Sequence, residues 1–355
     1  MKRARLSPAA FPAFLSAFTL CLTAFPSVSE AGWLFSRDTI YGRVDCYSDT
    51  ATTLQNTTSS DWWYGCTATS GGMLMAYYDT NGYKGASFGN LIPGGTAGSS
   101  AIGDWPNGQL LRATIASEEH QRDYYGAATR GYNTGGGTSA LGYGAEKDDV
   151  ASGAHADNCI ADFLGTSQDS CHNSNGSTQT YYYTDGHRLD YTDQLGITDK
   201  WSATGLANYV SYCGYGVLDC FSQYSDIYMT SKSLTGGFSF ADFETEIDAG
   251  RGVILNLTNA TLGGHSVLGI GYDAATKSVE LYNTWDSSIH TAAWDTGYIV
   301  NENGTDYTFS ISGVIGMELT PVPEPSTYAF IAAFASFGIV LVLRRGKAGR
   351  RSAGC

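Results

Sequence analysis

Positive charge is scarce in this chain of 355 residues: Lys and Arg number 20 against 34 Asp and Glu, and charged residues make up only 15%. Eight of those 20 cations sit at the two ends, so residues 32–322 hold 12 Lys and Arg against 32 Asp and Glu, a net charge of −20. A body this acidic, with no basic stripe, repels phosphate backbones and argues against nucleic acid as a partner. Proline is sparse too, at 8 residues, which excludes a Pro-rich linker or stalk. There is no CxxC pair and no His-x-x-x-His spacing, so a structural zinc site lacks support; no metal and no cofactor is expected. What is present in quantity is apolar and small: 43% hydrophobic residues, 44 Gly and 24 Tyr. Spread over about 290 residues, that is ample for a substantial core.

The only long apolar runs lie at the ends. Residues 1–31 begin with Lys2, Arg3 and Arg5, continue through an apolar stretch from Pro8 to Phe25, and close on Ser29-Glu30-Ala31. This is the pattern of a secretory signal cut after Ala31 by signal peptidase. At the other end, Pro323-Glu324-Pro325 precedes sixteen uncharged residues from Tyr328 to Leu343, and Arg344-Arg345-Gly346-Lys347 follow. The apolar run is shorter than the ~20 residues of a relaxed span, but its arginines can snorkel and hold the basic end in the cytoplasm. Pro323, Glu324 and Pro325, the 328–343 segment and the cluster at Arg344 and Arg345 together resemble the PEP-CTERM sorting signal. That resemblance implies recognition by an exosortase, a transient inner-membrane anchor, and delivery to the cell surface or an extracellular exopolysaccharide matrix. The organisation expected is a signal peptide at 1–31, one domain at 32–320, and a sorting segment at 321–355.

An oxidising compartment allows disulfides. Cys21 and Cys355 belong to the ends, leaving Cys46, Cys66, Cys159, Cys171, Cys213 and Cys220. Cys159/Cys171 and Cys213/Cys220 are close enough for short bridges, although spacing cannot fix connectivity.

Within the body, 84–110 is Gly/Ser/Pro-rich and reads as loop, and 126–147 and 165–187 read as surface loops of small and polar residues. Helices are expected over 110–122 and 204–213. After Cys66, the residues Met73, Leu74, Tyr77 and Tyr78 recur at three-to-four spacing and Asn81-Gly82 ends the run, predicting a helix over about 67–79 with Cys66 at its start. There the exposed N–H groups and helix dipole push a thiol toward thiolate. Phe240, Phe243, Glu244 and Ile247 predict a short amphipathic helix. Beyond it, Val253 to Leu257, Gly264 to Asp273 and Ser278 to Asp286 read as three antiparallel strands, with a hairpin turn at 273–277. The meander sets His265 at the start of one strand and Asn283 at the end of its neighbour.

A nucleophilic cysteine needs a base to take its proton and a third group to orient that base. The order Cys66, His265, Asn283, with His-x-Val, Gly-Tyr and Asn-x-Trp around the last two, resembles the papain-like cysteine peptidases. The Gly-Cys helix ending in Tyr-Tyr is most similar to their C39-like branch. The resemblance covers about 61–82 and 240–290. It implies an α+β papain-like fold, with an N-terminal helix bearing the cysteine, an antiparallel sheet bearing His and Asn, and large loop insertions over about 84–235. It implies Cys66 as nucleophile, His265 as base and then acid, Asn283 as orienter with Trp285 packed over the His–Asn bond, and Asp286 as the substitute orienter. The substrate class implied is a peptide or protein. The family usually carries a Gln six residues before the nucleophile, where this chain has Ser60; Gln55, given a bulged loop, or else the Cys66 backbone N–H with an indole N–H from Trp62 or Trp63, are the oxyanion donors left. A missing donor costs on the order of 100-fold in rate. A silent surface or matrix-binding protein on the same fold is the rival reading, and an acyl transferase the third. Asp148-Asp149, Asp157 and Asp162 near His155 form a further acidic stretch, read as a solvated loop rather than a calcium site.

Overall fold

The computed structural model describes residues 51–94, 109–124, 155–173, 176–193, 200–302 and 304–321. The expected signal peptide, Cys46, the triplet Pro323-Glu324-Pro325, the 328–343 segment and Arg344-Arg345 lie outside the described residues. Among the described residues no helix is long and apolar enough to cross a membrane.

The fold is mixed α/β, built on an antiparallel sheet. Its strands are β1 (Ala51–Thr53), β2 (Leu189–Asp190), β3 (Gly216–Tyr224), β4 (Val253–Asn259), β5 (Gly263–Asp273), β6 (Ser278–Tyr282), β7 (Ile289–Ala293), β8 (Tyr298–Glu302) and β9 (Thr305–Thr320). The order is β2-β3-β9-β4-β5-β6-β7, with β1 added beside β5 and β8 beside β9. The hairpin from β5 to β6 forms where the sequence places it: Asp273 pairs with Ser278, and the Asp273 Oδ1 accepts the Ala275 N–H at 2.9 Å. The helices are α1 (Cys66–Asn81), α2 (Gln109–Ile115), α3 (Glu118–Tyr124), α4 (Ile160–Leu164), α5 (Ser202–Tyr212), α6 (Asp226–Ser231) and α7 (Phe240–Asp248).

The central helix α1 is buried on every side from Thr67 to Asp79. A helix so enclosed cannot be amphipathic, and it carries small residues where neighbours press in. A Cβ on Gly71 would collide with Leu206 of α5, and one on Gly72 with Ile115 of α2. Each mid-helix glycine costs about 1 kcal/mol in helix propensity, which close packing offsets. Helix α7 is instead one-sided, burying Phe240, Phe243 and Ile247 against the sheet. Its start is a reciprocal cap in which Ser239 Oγ accepts the Asp242 N–H and Asp242 Oδ2 accepts the Ser239 N–H.

Three expectations need correction. The helix expected over 110–122 is two helices, α2 and α3, broken at 116–117, where Ser117 Oγ accepts the His120 N–H at 3.1 Å and starts the second. The stretch expected as an insertion over 84–235 contributes to the framework: β3 lies inside the sheet, paired with β9 from Gly216 to Tyr224, and α5 is buried through Leu206, Tyr209 and Val210. Finally, Cys159, Cys213 and Cys220 are free thiols, so neither expected short bridge forms. Cys213 ends α5, whereas Cys220 sits mid-strand with its Sγ on the Ala203 carbonyl, and Cys159 points to Asp162.

Candidate active site

Cys66 is the first residue of α1, and the turn before it sets its direction. Gly65 has φ 154°, a conformation L side chains rarely adopt, and a Cβ there would lie 2.7 Å from Thr166 Cγ2 and 3.0 Å from the Gly176 carbonyl. The helix start is then fastened to β5. Thr67 Oγ1 and Ser266 Oγ lie 2.9 Å apart, and Ser70 Oγ donates to the Ser266 carbonyl at 3.1 Å. Because Ser266 follows His265, these two bonds bring the histidine to the thiol. Ser266 Oγ also donates to Asn256 Oδ1 of β4 at 2.7 Å, and Asn256 Nδ2 donates to the Tyr182 hydroxyl at 2.6 Å.

The thiol of Cys66 is free and half-buried. Removal from water raises its pKa, but hydrogen bonding and charge from His265, with hydrogen bonds from the backbone and side chain of Ser266, outweigh that and bring it from 9.0 to about 7. At the start of α1 the Thr69 N–H to the Gly65 carbonyl is the helix's first bond, so the amides of Cys66, Thr67 and Ala68 have no partners inside the helix. They offer hydrogen-bond donors and a positive dipole end to an anion.

His265 is buried and held on both faces of the problem, position and tilt. Its Nε2 donates to the backbone carbonyl of Asn283 at 2.8 Å. Trp285 stacks on its ring, with centroids 4.3 Å apart and planes within 8°. Phe309 of β9 meets it edge-on at 6.4 Å.

The structure places Asn283 beside His265 but turns its side chain elsewhere. Its Oδ1 accepts the N–H groups of Trp285 and Asp286 at 2.8 and 3.2 Å, and its Nδ2 donates to the Tyr298 hydroxyl at 3.0 Å. The amide therefore shapes the turn that carries Trp285, and the main-chain carbonyl of the same residue accepts the imidazole N–H. Asp286 is not aimed at His265: its Oδ1 pairs with His290 Nε2 at 2.9 Å and accepts the Ser288 N–H. Despite partial burial, the pairing with His290 holds its carboxyl below the usual range. Two of the side-chain oxyanion candidates are also committed. Gln55 is exposed, with its amide donating to Thr53 O at 2.9 Å, and the Trp63 indole N–H donates to the Ala116 carbonyl at 3.3 Å. Ser60, six residues before Cys66, has its hydroxyl on the Asp61 carbonyl.

Two parts of the site escape the sequence reading. Ser266 adjoins a singled-out residue, and its place after His265 on a strand facing a Thr-rich helix start was a usable signal. The wall behind Gly65 was not: Thr166, Ser167, Gln168 and Asn173 come from a stretch read as surface loop, yet all four are buried. Backbone turn bonds such as Ser167 N–H to the Ser177 carbonyl hold this stretch, and side chains complete it: Asn173 Nδ2 donates to the Gly165 carbonyl at 2.7 Å and Ser167 Oγ accepts the Gly176 N–H at 2.9 Å.

A comparison with protein families returns a match to the Peptidase_C39 like family over residues 139–302. The matched stretch takes in β3 to β8, His265 and Asn283, and stops short of Cys66. The antiparallel sheet with its central helix is compatible with a C39-like, papain-like fold, and the match supports a cysteine-peptidase-like function. No curated protein matches the chain.

Proposed function

We propose that this protein is an exported, exosortase-sorted cysteine peptidase that uses Cys66 as nucleophile and His265 as general base and acid. The observation that carries the reading is the pairing of the Cys66 thiol with His265 at the start of α1, which brings its pKa to about 7. A thiolate at that position attacks a peptide carbonyl, forming a C–S bond as the carbonyl electrons move to oxygen. The oxyanion is met by the N-terminal amides of α1 rather than by a glutamine side chain. His265 then gives its proton to the leaving amine, the tetrahedral intermediate collapses to a thioester, and a water deprotonated by His265 releases the acid and restores the thiol. The third member of the site in this reading is the Asn283 carbonyl, which fixes the tautomer and tilt of the ring with Trp285 stacked above it. Export and sorting rest on the signal-like residues 1–31 and on the PEP-CTERM resemblance of the tail, and make signal peptidase, an exosortase and a matrix exopolysaccharide the processing partners and setting.

The silent surface-protein reading has one observation in its favour: Gln55 and Trp63 are both turned to other partners, so no side chain of the expected kind serves the oxyanion. The two are separated by incubating the full chain, and a Cys66→Ala control, with a mixed peptide library and reading new termini by mass spectrometry. Cysteine-dependent cleavage is the expected outcome. A native chain whose Cys66 is alkylated readily but which cuts nothing and forms no adduct with a peptide aldehyde sinks the peptidase reading and favours the binding protein.

A further inference from the structure

A second cluster of His, Cys and Asp side chains gathers away from the helix start that carries Cys66, in a part of the chain the peptidase reading does not use. The ligand-type atoms of His120, Cys159 and Asp162 all lie within 4.8 Å of one another, and all three residues are buried. His155 approaches one member of that group, with its Nε2 3.1 Å from Asp162 Oδ2. His120 Nδ1 is 2.7 Å from Asp162 Oδ1, and Cys159 Sγ is 3.1 Å from Asp162 Oδ2. We propose that His120, His155, Cys159 and Asp162 are the ligands of one zinc-type divalent transition-metal ion that ties α3 to the turn entering α4.

The donor set is two imidazoles, one thiolate and one carboxylate, which suits zinc or cobalt and excludes the all-oxygen shells that calcium and magnesium require. Tetrahedral ligands on zinc stand about 3.2–3.8 Å apart, so on binding the Asp162 contacts at 2.7–3.1 Å open and the wider separations within the set close. The geometry around Asp162 is the stronger argument. Its Oδ2 is approached by four groups at once: His155 Nε2, Cys159 Sγ, and the backbone N–H groups of Asn158 and Cys159. A single carboxylate oxygen has lone-pair directions for about two of them. On its other side, His155 Nδ1 lies 2.6 Å from Asp123 Oδ2. A carboxylate fixing the far nitrogen of a histidine is also the usual second layer around a metal ligand, leaving Nε2 to bind. On binding, the Cys159 thiol proton, and any proton shared with the imidazoles, passes to solvent. The spacing His155-x-x-x-Cys159-x-x-Asp162 is local, but His120 comes from another helix, which is why no sequence pattern exposed the set.

The test uses the full chain carrying Cys66→Ser, so that the Cys66–His265 pair cannot supply the metal site. Chelator-stripped protein is titrated with cobalt(II) and then zinc(II). One ion per chain is expected, with a thiolate-to-cobalt charge-transfer band that Cys159→Ser abolishes. Zinc should displace the cobalt, and His120→Asn and Asp123→Asn should weaken binding by more than about 10-fold. Absence of any stoichiometric binding overturns the proposal, and so does binding that Cys159→Ser and His120→Asn leave unchanged. If His120→Asn fails to fold, the near-isosteric Cys159→Ser decides alone.

Discussion

Two cysteines open helices in this protein, Cys66 at the start of α1 and Cys159 as the N-cap of α4, and their thiols are driven in opposite directions. Cys66 is brought down to about 7, whereas burial and the Asp162 carboxylate push Cys159 well above its ordinary value. The helix terminus is common to both, and its dipole is worth only about 0.3–1 kcal/mol, less than one pKa unit. What separates them is the neighbour: a histidine and a serine that stabilise a thiolate at one site, and at the other an anion that disfavours it as long as no cation is bound beside it. A helix start therefore makes a cysteine a candidate, and the sign of the adjacent charge decides whether it is a nucleophile.

The sharpest way to break this contrast is to remove the partner. His265→Ala should leave Cys66 with burial as the dominant influence, returning its pKa from about 7 to 9.0 or above. Cysteine-dependent peptide hydrolysis should then fall by about a million-fold, as followed by release of peptide termini. Next in size is Gly65→Ala, which forces a side chain onto φ 154° and against Thr166. It should cost roughly 2–3 kcal/mol in urea denaturation and displace the nucleophile as well. Ser266→Ala removes a hydroxyl hydrogen-bonded to Asn256 and Thr67 and one of the bonds that stabilise the thiolate. About 1–3 kcal/mol of stability should be lost, and the alkylation midpoint of Cys66 should move upward. Asn283→Ala keeps the carbonyl on His265 and loses only the turn-shaping amide, so hydrolysis should drop by roughly 10-fold, about 1.4 kcal/mol. If it drops as far as in His265→Ala, the side chain, not the carbonyl, orients the base. Smallest of all is Asp286→Asn, which should leave the Cys66 midpoint in place because His290, not His265, is the partner of Asp286.

Much of the architecture around Cys66 was legible in the sequence. The spacing of Phe240, Phe243 and Ile247 matches helix α7, and the apolar runs on either side of Asp273-Ala274-Ala275-Thr276-Lys277 match β5 and β6. Strand β9 went unread although Tyr307, Phe309 and Ile311 alternate inward, a period-two signal that was there to find. The wall at Thr166–Asn173 left no such trace, because its backbone is held by local turn and side-chain hydrogen bonds with no regular period, and small polar residues look alike in a core and on a surface. At Asn283 the residue was legible and the atom was not: spacing brings a residue to a neighbour, but whether its amide or its carbonyl makes the contact depends on the turn that follows. The bridges expected from cysteine spacing failed for a related reason, since short sequence separation says nothing about the direction of the two side chains.

The central claim is that His265 makes Cys66 a thiolate near neutral pH, and the rate of iodoacetamide alkylation of Cys66 in the native full chain, followed by peptide mapping from pH 5 to pH 10, tests it most directly. Only the thiolate reacts, so the rate should fall about tenfold for each unit below the midpoint and level off above it. The account predicts a midpoint near 7 in the unaltered chain and one at or above 9.0 in His265→Ala. A rate that still climbs through pH 9 in the unaltered chain, or a profile that His265→Ala does not move, contradicts it.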